Sequence, residues 1–587
     1  MQENINEESL VEIAKRYQTL DGGASQSVAD LWCTYAAIRT LTWLDDGPND
    51  PKSCARFLRG CQNRDGAFGW SKGMRSDVWA TYYCTQALTD LRLSIPHRDV
   101  LHGWLDTLLV EGGYGMTPGQ PPDLWATYYA TRIYQEILNK TPSEPEQTLN
   151  WIKNKQLADG GIGWGPVSEM GDVRAAYYAS HAWQQIRMPG FKKDPFDVKR
   201  LIQWLQGCQL KEGGFRFHRD QDAPCLWATF RAVRALDVWG AKPVSVESCI
   251  RWIMSRKLKG SGFSRWDGYN TADVWACFSA VGALKTLGVA LPEKDREEVV
   301  SFLRSCQISH TGFTYREPDW AGDALSSAAL VLAVPHQTDL GKLLVQWLHH
   351  AHMPYEGGVM YMPARGAEVR CTLWALAAIR HGKYLSLNKG RLKQWFTHLQ
   401  NSDGGFGYWE GRGSDVTATV SAMESLCYLG EGSLESVRID QVGYFLDTCS
   451  TADGIHFSPQ GEVNLASTCM GIRGFAMLGR KELAHRYAGF IPKYQSRLGG
   501  YSSQIGGLPD LNSTYQAVLT LDSLGMPWNP NMILRFIKRI QKPKGYAWSP
   551  LSREESGPLT MALADSLRRA SEDKLEGRSY VLPKLNL

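Results

Sequence analysis

Two aspartates four residues apart, Asp319 and Asp323 in "EPDWAGDAL", are the chain's foremost candidates for acid chemistry. Carboxyls held close together repel as anions, which raises one pKa and leaves a proton donor near neutral pH. Tyr315 and Trp320 flank the pair, and their rings could face the positive charge that a donated proton creates. A second set is aromatic. Trp32, Trp79, Trp125, Trp227 and Trp275 occupy one equivalent place in "DLWCT", "DVWAT", "DLWAT", "CLWAT" and "DVWAC". Indole faces stabilise cations and bury large apolar area, so these side chains either ring the mouth of a cavity or fill a core. Arg174 and Arg370 take the same place in "DVRAA" and "EVRCT", where a guanidinium could bind a diphosphate or pair with a neighbouring carboxylate such as Glu368.

The elements that position these residues are read from an internal repeat. Anchors at Asp30, Asp77, Asp123, Asp172, Cys225, Asp273, Asp323, Glu368, Asp415, Asn464, Asp510 and Ser556 define twelve units, 45 to 53 residues apart. Most units carry a turn such as "QNRDGAFGW", "QLADGGIGW" or "QSRLGGY" before the anchor. Ahead of the turn, "LIQWLQGCQ" and "VVSFLRSCQ" space their apolar residues as one face of an amphipathic helix. Past the anchor, "DLWATYYATRIYQEIL" is apolar nearly all round, as in a helix packed on both sides. Each unit is therefore an outer helix, a Gly-rich turn and an inner helix. Eight of the twelve anchors are aspartate, and Asn464 and Ser556 are also good caps, so these side chains are expected to cap the inner helices, Asp415 among them. The glycines supply positive-φ turn positions and the glutamines tie neighbouring turns. The expected fold is all-α: two α/α toroids, residues 1–290 with units one to six and 291–587 with units seven to twelve, with small pieces exchanged between them.

The Gln-x-x-x-Gly-x-aromatic turns, as in Gln62, Gly66 and Phe68 or Gln400, Gly404 and Phe406, resemble the repeats of squalene-hopene and oxidosqualene cyclases and those of protein-prenyltransferase β subunits. The resemblance covers essentially the whole chain. It implies a terpene cyclase that protonates an isoprenoid and cyclises the resulting carbocation. In class II cyclases one unit reads Asp-x-Asp-Asp, whose middle aspartate is the acid. Here Asp323 matches the first aspartate, and Leu325 and Ser326 stand at the other two, so the resemblance implies a non-standard acid, with Asp323 and Asp319 as candidates. Protein prenyltransferases bind zinc through an anchor aspartate, a cysteine two places on and a histidine three places past the next anchor. No unit of this chain has a cysteine or histidine there, which argues against a zinc site. The alternative reading is a catalytically silent scaffold that binds an apolar ligand or a protein.

Composition narrows the classes further. At 587 residues and 43% hydrophobic, with 57 glycines, the chain reads as globular and rich in tight turns. A net charge of +4 with scattered Lys and Arg gives no nucleic-acid footprint. Thirteen cysteines stand singly, which suits a reducing compartment, and "MQENINEESLVEIAKRYQTL" has no basic flank or apolar core of a signal. No run reaches about 18 apolar residues. A cytoplasmic protein is expected, with peripheral membrane contact compatible with an apolar substrate. No cofactor is expected except Mg²⁺ if the substrate is a diphosphate. The acidic loop of Asp45, Asp46 and Asp50 reads as a solvated turn, and "HHAHM" at 349 to 353 has no second ligand cluster.

Overall fold

The computed structural model describes residues 7–26, 28–165, 170–186, 196–335, 338–353, 356–362, 366–459, 461, 463–552 and 555–587. Its described residues form 24 α-helices with six two-residue strands, paired as three antiparallel ribbons. Twelve of the helices are inner helices: α1 (Leu31–Trp43), α2 (Val78–Asp90), α3 (Leu124–Arg132), α4 (Val173–Ile186), α5 (Leu226–Val238), α6 (Val274–Thr286), α7 (Ala324–Ala333), α8 (Val369–His381), α9 (Val416–Leu429), α10 (Leu465–Met477), α11 (Leu511–Ser523) and α12 (Pro558–Leu575).

The anchors do what their side chains dictate. An aspartate carboxylate accepts a first-turn N–H that has no partner inside the helix. Asp30 accepts from the amide of Cys33, Asp123 from Ala126, Asp273 from Ala276, Asp415 from Ala418 and Asp510 from Ser513, at 2.7 to 2.9 Å. Two anchors do not cap through their side chains. Cys225 makes no side-chain cap bond, and α12 starts at Pro558 after Gly557, so Ser556 is not its cap.

Four residues after the anchor, a hydroxyl or thiol explains why Thr recurs there. Thr81 Oγ1 accepts the N–H of the turn aromatic Phe68 at 2.9 Å while donating to the Asp77 carbonyl. Thr127 does the same for Tyr114, Thr229 for Phe215 and Thr419 for Phe406. The turn is thereby stitched to the inner helix behind it. The repeated glutamine makes the next link. Gln156 Nε2 donates to the carbonyls of Gly160 and Asp197, and its Oε1 accepts the Asp197 N–H, which joins the turn to the start of the next outer helix.

Two compact units result. The first ring holds Ser27–Pro318 together with Gly411–Gly413. Its inner helices α1 to α6 contact one another in sequence, and α6 returns to α1. The second ring holds Met1–Gln26, Asp319–Glu410 and Ser414–Leu587, and α7 to α12 close in the same way.

The units thus do not divide at residue 290. The helix Glu293–Ser305 and the turn that follows it belong to the first ring, where Phe313 donates to Thr34 Oγ1 and accepts from the Asp30 amide. Gln307 then bonds Asp50, joining the last turn of the ring to its first outer helix. In the second ring Ala24 donates to Ser327 Oγ and accepts from the Asp323 amide at 2.7 Å. The turn ahead of Asp30 in sequence therefore closes on α7, and the turn ahead of Asp323 closes on α1. Among the described residues, no helix is long and apolar enough to cross a membrane.

Candidate functional site

Asp323 begins α7 in the second ring, with its Oδ1 accepting the Ser326 amide at 2.7 Å. The carboxyl is buried, and burial pushes its pKa up to about 7, against smaller lowering by hydrogen bonds from Ser326 and Leu325. No charged group is among the causes. The next inner helix brings Glu368, Arg370 and Cys371 to its own first turn. Arg370 Nε bonds Glu368 Oε1 at 2.8 Å, its guanidinium lies 4.9 Å from the Tyr408 ring centroid, and Cys371 Sγ donates to Glu368 Oε2 at 2.9 Å. Burial pushes the Cys371 thiol well up, with Glu368 and Asp323 adding to the rise.

Asp319 does not join Asp323. It sits exposed in the 3₁₀ turn Pro318–Trp320, and its carbonyl accepts the Leu20 amide at 2.8 Å. The i, i+4 spacing brings side chains together only along a helix, and here the helix begins after Asp323. Like-charge repulsion from Asp319 accordingly plays no part in the rise at Asp323, which is a desolvation effect. Trp320 is 42% exposed. Tyr315 is buried in the first ring, where its carbonyl accepts the Val274 amide.

The five tryptophans pack inside the first ring. Trp32 stacks on Trp275 at 4.3 Å and meets Trp227 edge-on at 5.5 Å, while Trp79 lies 5.2 Å from Trp125. All five are buried, so they act as core rather than as an open aromatic mouth. Arg174 is likewise committed. Its Nη2 bonds Asp172 Oδ2 at 2.7 Å and its Nε bonds both carboxylate oxygens, with Trp164 and Phe217 beside the guanidinium. Arg370 pairs with Glu368 in the same sense, each arginine satisfying its own anchor.

Asp77 and Asp123 share a third arginine. Arg412 lies 3.7 Å from a carboxylate oxygen of each, and the Gly413 amide donates to Asp123 at 3.1 Å. Glycine is required at 411: its φ is +78° and a Cβ would lie 2.0 Å from Trp164. The acidic loop is equally engaged in the fold, Asp46 with Arg304 and Asp50 as the cap of Ser53. His349 and His352 bond the carbonyls of Leu385 and Gly357.

Beneath the indoles of the first ring lies a layer that the two-after-anchor pattern missed. Tyr35 stacks on Tyr83 at 4.2 Å, Tyr83 and Tyr129 hydroxyls meet at 3.2 Å, and Tyr128 and Tyr177 at 2.8 Å. Arg39, Arg132 and Arg234 lie lower, each nine residues after its anchor, a periodicity visible in the sequence. The second ring fills the same level from its own chain. Arg473 bonds Glu424 at 2.8 Å and the Asn586 side-chain oxygen at 2.7 Å, and the Asn586 amide donates to Ser421 and Glu424. Trp374 Nε1 donates to the Asn586 carbonyl.

Comparison with known proteins agrees with this architecture. The model of the prenyltransferase alpha-alpha toroid domain matches residues 1–91, 70–265, 171–366, 364–482 and 464–561. Comparison with curated proteins finds no match. Among solved structures, ent-copalyl diphosphate synthase from Streptomyces platensis is 15% identical over 81% of this chain and 91% of that one, with a TM-score of 0.36. The type II terpene cyclase MstE from Scytonema is 12% identical over 48% and 96%, with a TM-score of 0.31. Protein geranylgeranyltransferase-I of Candida albicans is 13% identical over 61% and 84%, with a TM-score of 0.24. Identities and TM-scores this low carry no functional weight. The domain matches do not depend on them, and they run through most of the chain, on rings whose inner helices begin at the same capped anchors: the chain belongs to the prenyltransferase alpha-alpha toroid domain family.

Proposed function

We propose that the protein is a terpene cyclase of the protonation-initiated type, acting on an isoprenoid substrate with Asp323 as the proton donor. The observation that carries this reading is the carboxyl of Asp323, buried without a facing cation among the described residues and pushed up to about 7. Other anchors are balanced by arginine: Asp172 by Arg174, Glu368 by Arg370, Asp77 and Asp123 by Arg412. At Asp273, raised to about 6, Arg265 and Arg316 lower the pKa. Asp323, pushed up to about 7 by burial, is thus an anchor able to keep its proton near neutral pH, as a general acid requires. It also stands at the unit where the resembling cyclases carry their acid.

In the proposed step the Asp323 O–H proton adds to the terminal alkene carbon of the substrate, using the alkene π pair. A tertiary cation forms at the neighbouring carbon and Asp323 is left as a carboxylate. The amides of Leu325 and Ser326 then bond an anion rather than a neutral acid, which stabilises the charge as it develops. Attack by an internal alkene closes a ring and moves the cation along the chain. Loss of a proton from an adjacent carbon ends the sequence, and the net reaction is an isomerisation.

The test is incubation with squalene, oxidosqualene and C15 to C20 prenyl diphosphates, followed by mass spectrometry, for the native chain and for Asp323→Asn and Asp319→Asn. Asparagine keeps an N-cap acceptor, so Asp323→Asn should fold normally and form no product. Asp319→Asn should turn over normally. Product formation by folded Asp323→Asn would place the acid elsewhere, and absence of product from every substrate would favour the silent scaffold.

A further inference from the structure

The first ring holds a cavity of about 60 Å³ lined by residues of all six of its inner helices. Four arginines line it: Arg39, Arg132, Arg231 and Arg234. Three have acidic neighbours. Arg39 bonds Asp90 at 2.5 Å, Arg132 bonds Glu136 at 2.7 and 2.9 Å, and Arg234 lies 3.8 Å from Asp237.

Arg231 is different. It is 6% exposed and meets no carboxylate among the described residues. Its Nη1 reaches the Trp227 carbonyl at 3.3 Å, its Nη2 reaches the Tyr178 hydroxyl at 3.4 Å, and its Nε has no hydrogen-bond partner. The Trp227 ring, 5.2 Å away, offsets part of the desolvation. A buried guanidinium with an idle donor and no counter-charge is nonetheless a strongly unfavourable arrangement unless an anion joins it.

The remaining wall supplies donors. A pair of tyrosine hydroxyls has two O–H groups and uses one in the mutual bond, so the Tyr83–Tyr129 and Tyr128–Tyr177 pairs each leave one O–H to spare. Burial pushes Tyr35 up to about 12 and Tyr83 and Tyr129 well above the usual phenol range, so these hydroxyls keep their protons. The second ring completes the comparison. There the arginine nine residues after its anchor, Arg473, is neutralised by Glu424 from the equivalent place in the preceding unit. The first ring has arginines at that level with Gln86 and His181 between them, and no acid there.

We propose that this cavity binds a small tetrahedral oxyanion, inorganic phosphate, against Arg231 and the tyrosine hydroxyls. A volume of about 60 Å³ is several times the roughly 10 to 15 Å³ that one water needs, room for one such ion and far too little for an isoprenoid chain. Guanidinium and phenol donors suit phosphate oxygens.

The experiment is titration of the full chain with inorganic phosphate by calorimetry, with pyrophosphate and geranylgeranyl diphosphate as separate arms. Saturable binding of one phosphate per chain and a rise in Tm are expected. Arg231→Met, which keeps the stem and removes the buried charge, should weaken binding at least a hundredfold without lowering the phosphate-free Tm. Arg234→Gln, at a more exposed site, should weaken it about tenfold in a normally folded chain and serves if Arg231→Met does not fold. Absence of saturable phosphate binding, or unchanged affinity in these variants, overturns the proposal. Arginine-dependent binding of geranylgeranyl diphosphate alone would also overturn the assignment to free phosphate.

Discussion

Asp323 Oδ1 accepts the Ser326 amide at 2.7 Å, and the same carboxyl has its pKa pushed up to about 7. The two facts are compatible. A protonated carboxyl still offers its carbonyl oxygen to an N–H, so capping uses one oxygen while the other carries the proton. The side chain need not leave its structural post to act as an acid.

The raised pKa has a sign in stability. Between the ordinary aspartate value near 3.8 and about 7 the folded state binds the proton more tightly than the unfolded chain. The resulting stability is fully present below 3.8 and is lost as pH rises through about 7. Three units at about 1.4 kcal/mol each put the loss on the order of 4 kcal/mol. Asp323→Asn does not titrate, so denaturation at pH 3.5, pH 5 and pH 8 should find it close to the native chain at the lowest pH and increasingly more stable than it at the higher two. Turnover by the native chain should fall over the same interval as the proton is lost.

Arg174→Ala leaves the buried Asp172 carboxylate without its guanidinium, with the residue 174 amide, the Trp164 indole and His218 still beside it. Removing one member of a buried pair costs about 3 to 5 kcal/mol. Arg370→Ala should cost less, because the Arg370 side chain is 30% exposed and water can reach the site. Paired urea melts of the two variants check the order.

Asn586→Ala removes the side-chain bonds to Arg473, Ser421 and Glu424 while keeping the backbone bond from Trp374. A destabilisation of about 3 kcal/mol is expected, since charged buried groups lose partners. Asn586→Asp should fare no better, because it places a second carboxylate against Glu424. Chemical denaturation of both variants is the measurement.

Gly411→Ala forces a Cβ into Trp164 at a positive φ. A loss of about 3 kcal/mol is expected, and Trp164 must move away from Asp172, to which its Nε1 now donates at 3.0 Å. Thermal melts and near-UV circular dichroism report the two effects.

Helix pairs and capped anchors were legible in the sequence because each rests on a local rule, a carboxylate at Ncap and apolar residues all round a doubly packed helix. The separation of Asp319 from Asp323 was not, because spacing has meaning only within one element, and Asp319 lies in the 3₁₀ turn ahead of α7. The tryptophans were recognised as a set, but periodicity cannot say whether a ring of side chains surrounds an opening or fills it. Arg39, Arg132 and Arg234 carried a signal at nine residues past the anchor that a search limited to the first helical turn passed over. Arg231 carried none: its importance lies in the carboxylate it lacks, which only packing reveals. An exchange of small pieces was expected, but which turns take part was not legible, since the repeat reads identically whichever helix a turn closes upon.

That exchange makes the polypeptide a nested object. Ala24 and Asp323 are joined by a 2.7 Å hydrogen bond within the second ring, and Asp30 and Phe313 by a 2.9 Å bond within the first. Residues 27–318 are therefore a guest held in one loop of a host, and the host's own seam closes without them. A chain in which a short glycine linker replaces the guest retains every turn that α7 to α12 need. By the same logic, a single insertion or excision of residues 27–318 cuts no helix of either core, and what it leaves behind of the first ring is Gly411–Gly413, with the arginine that faces Asp77 and Asp123.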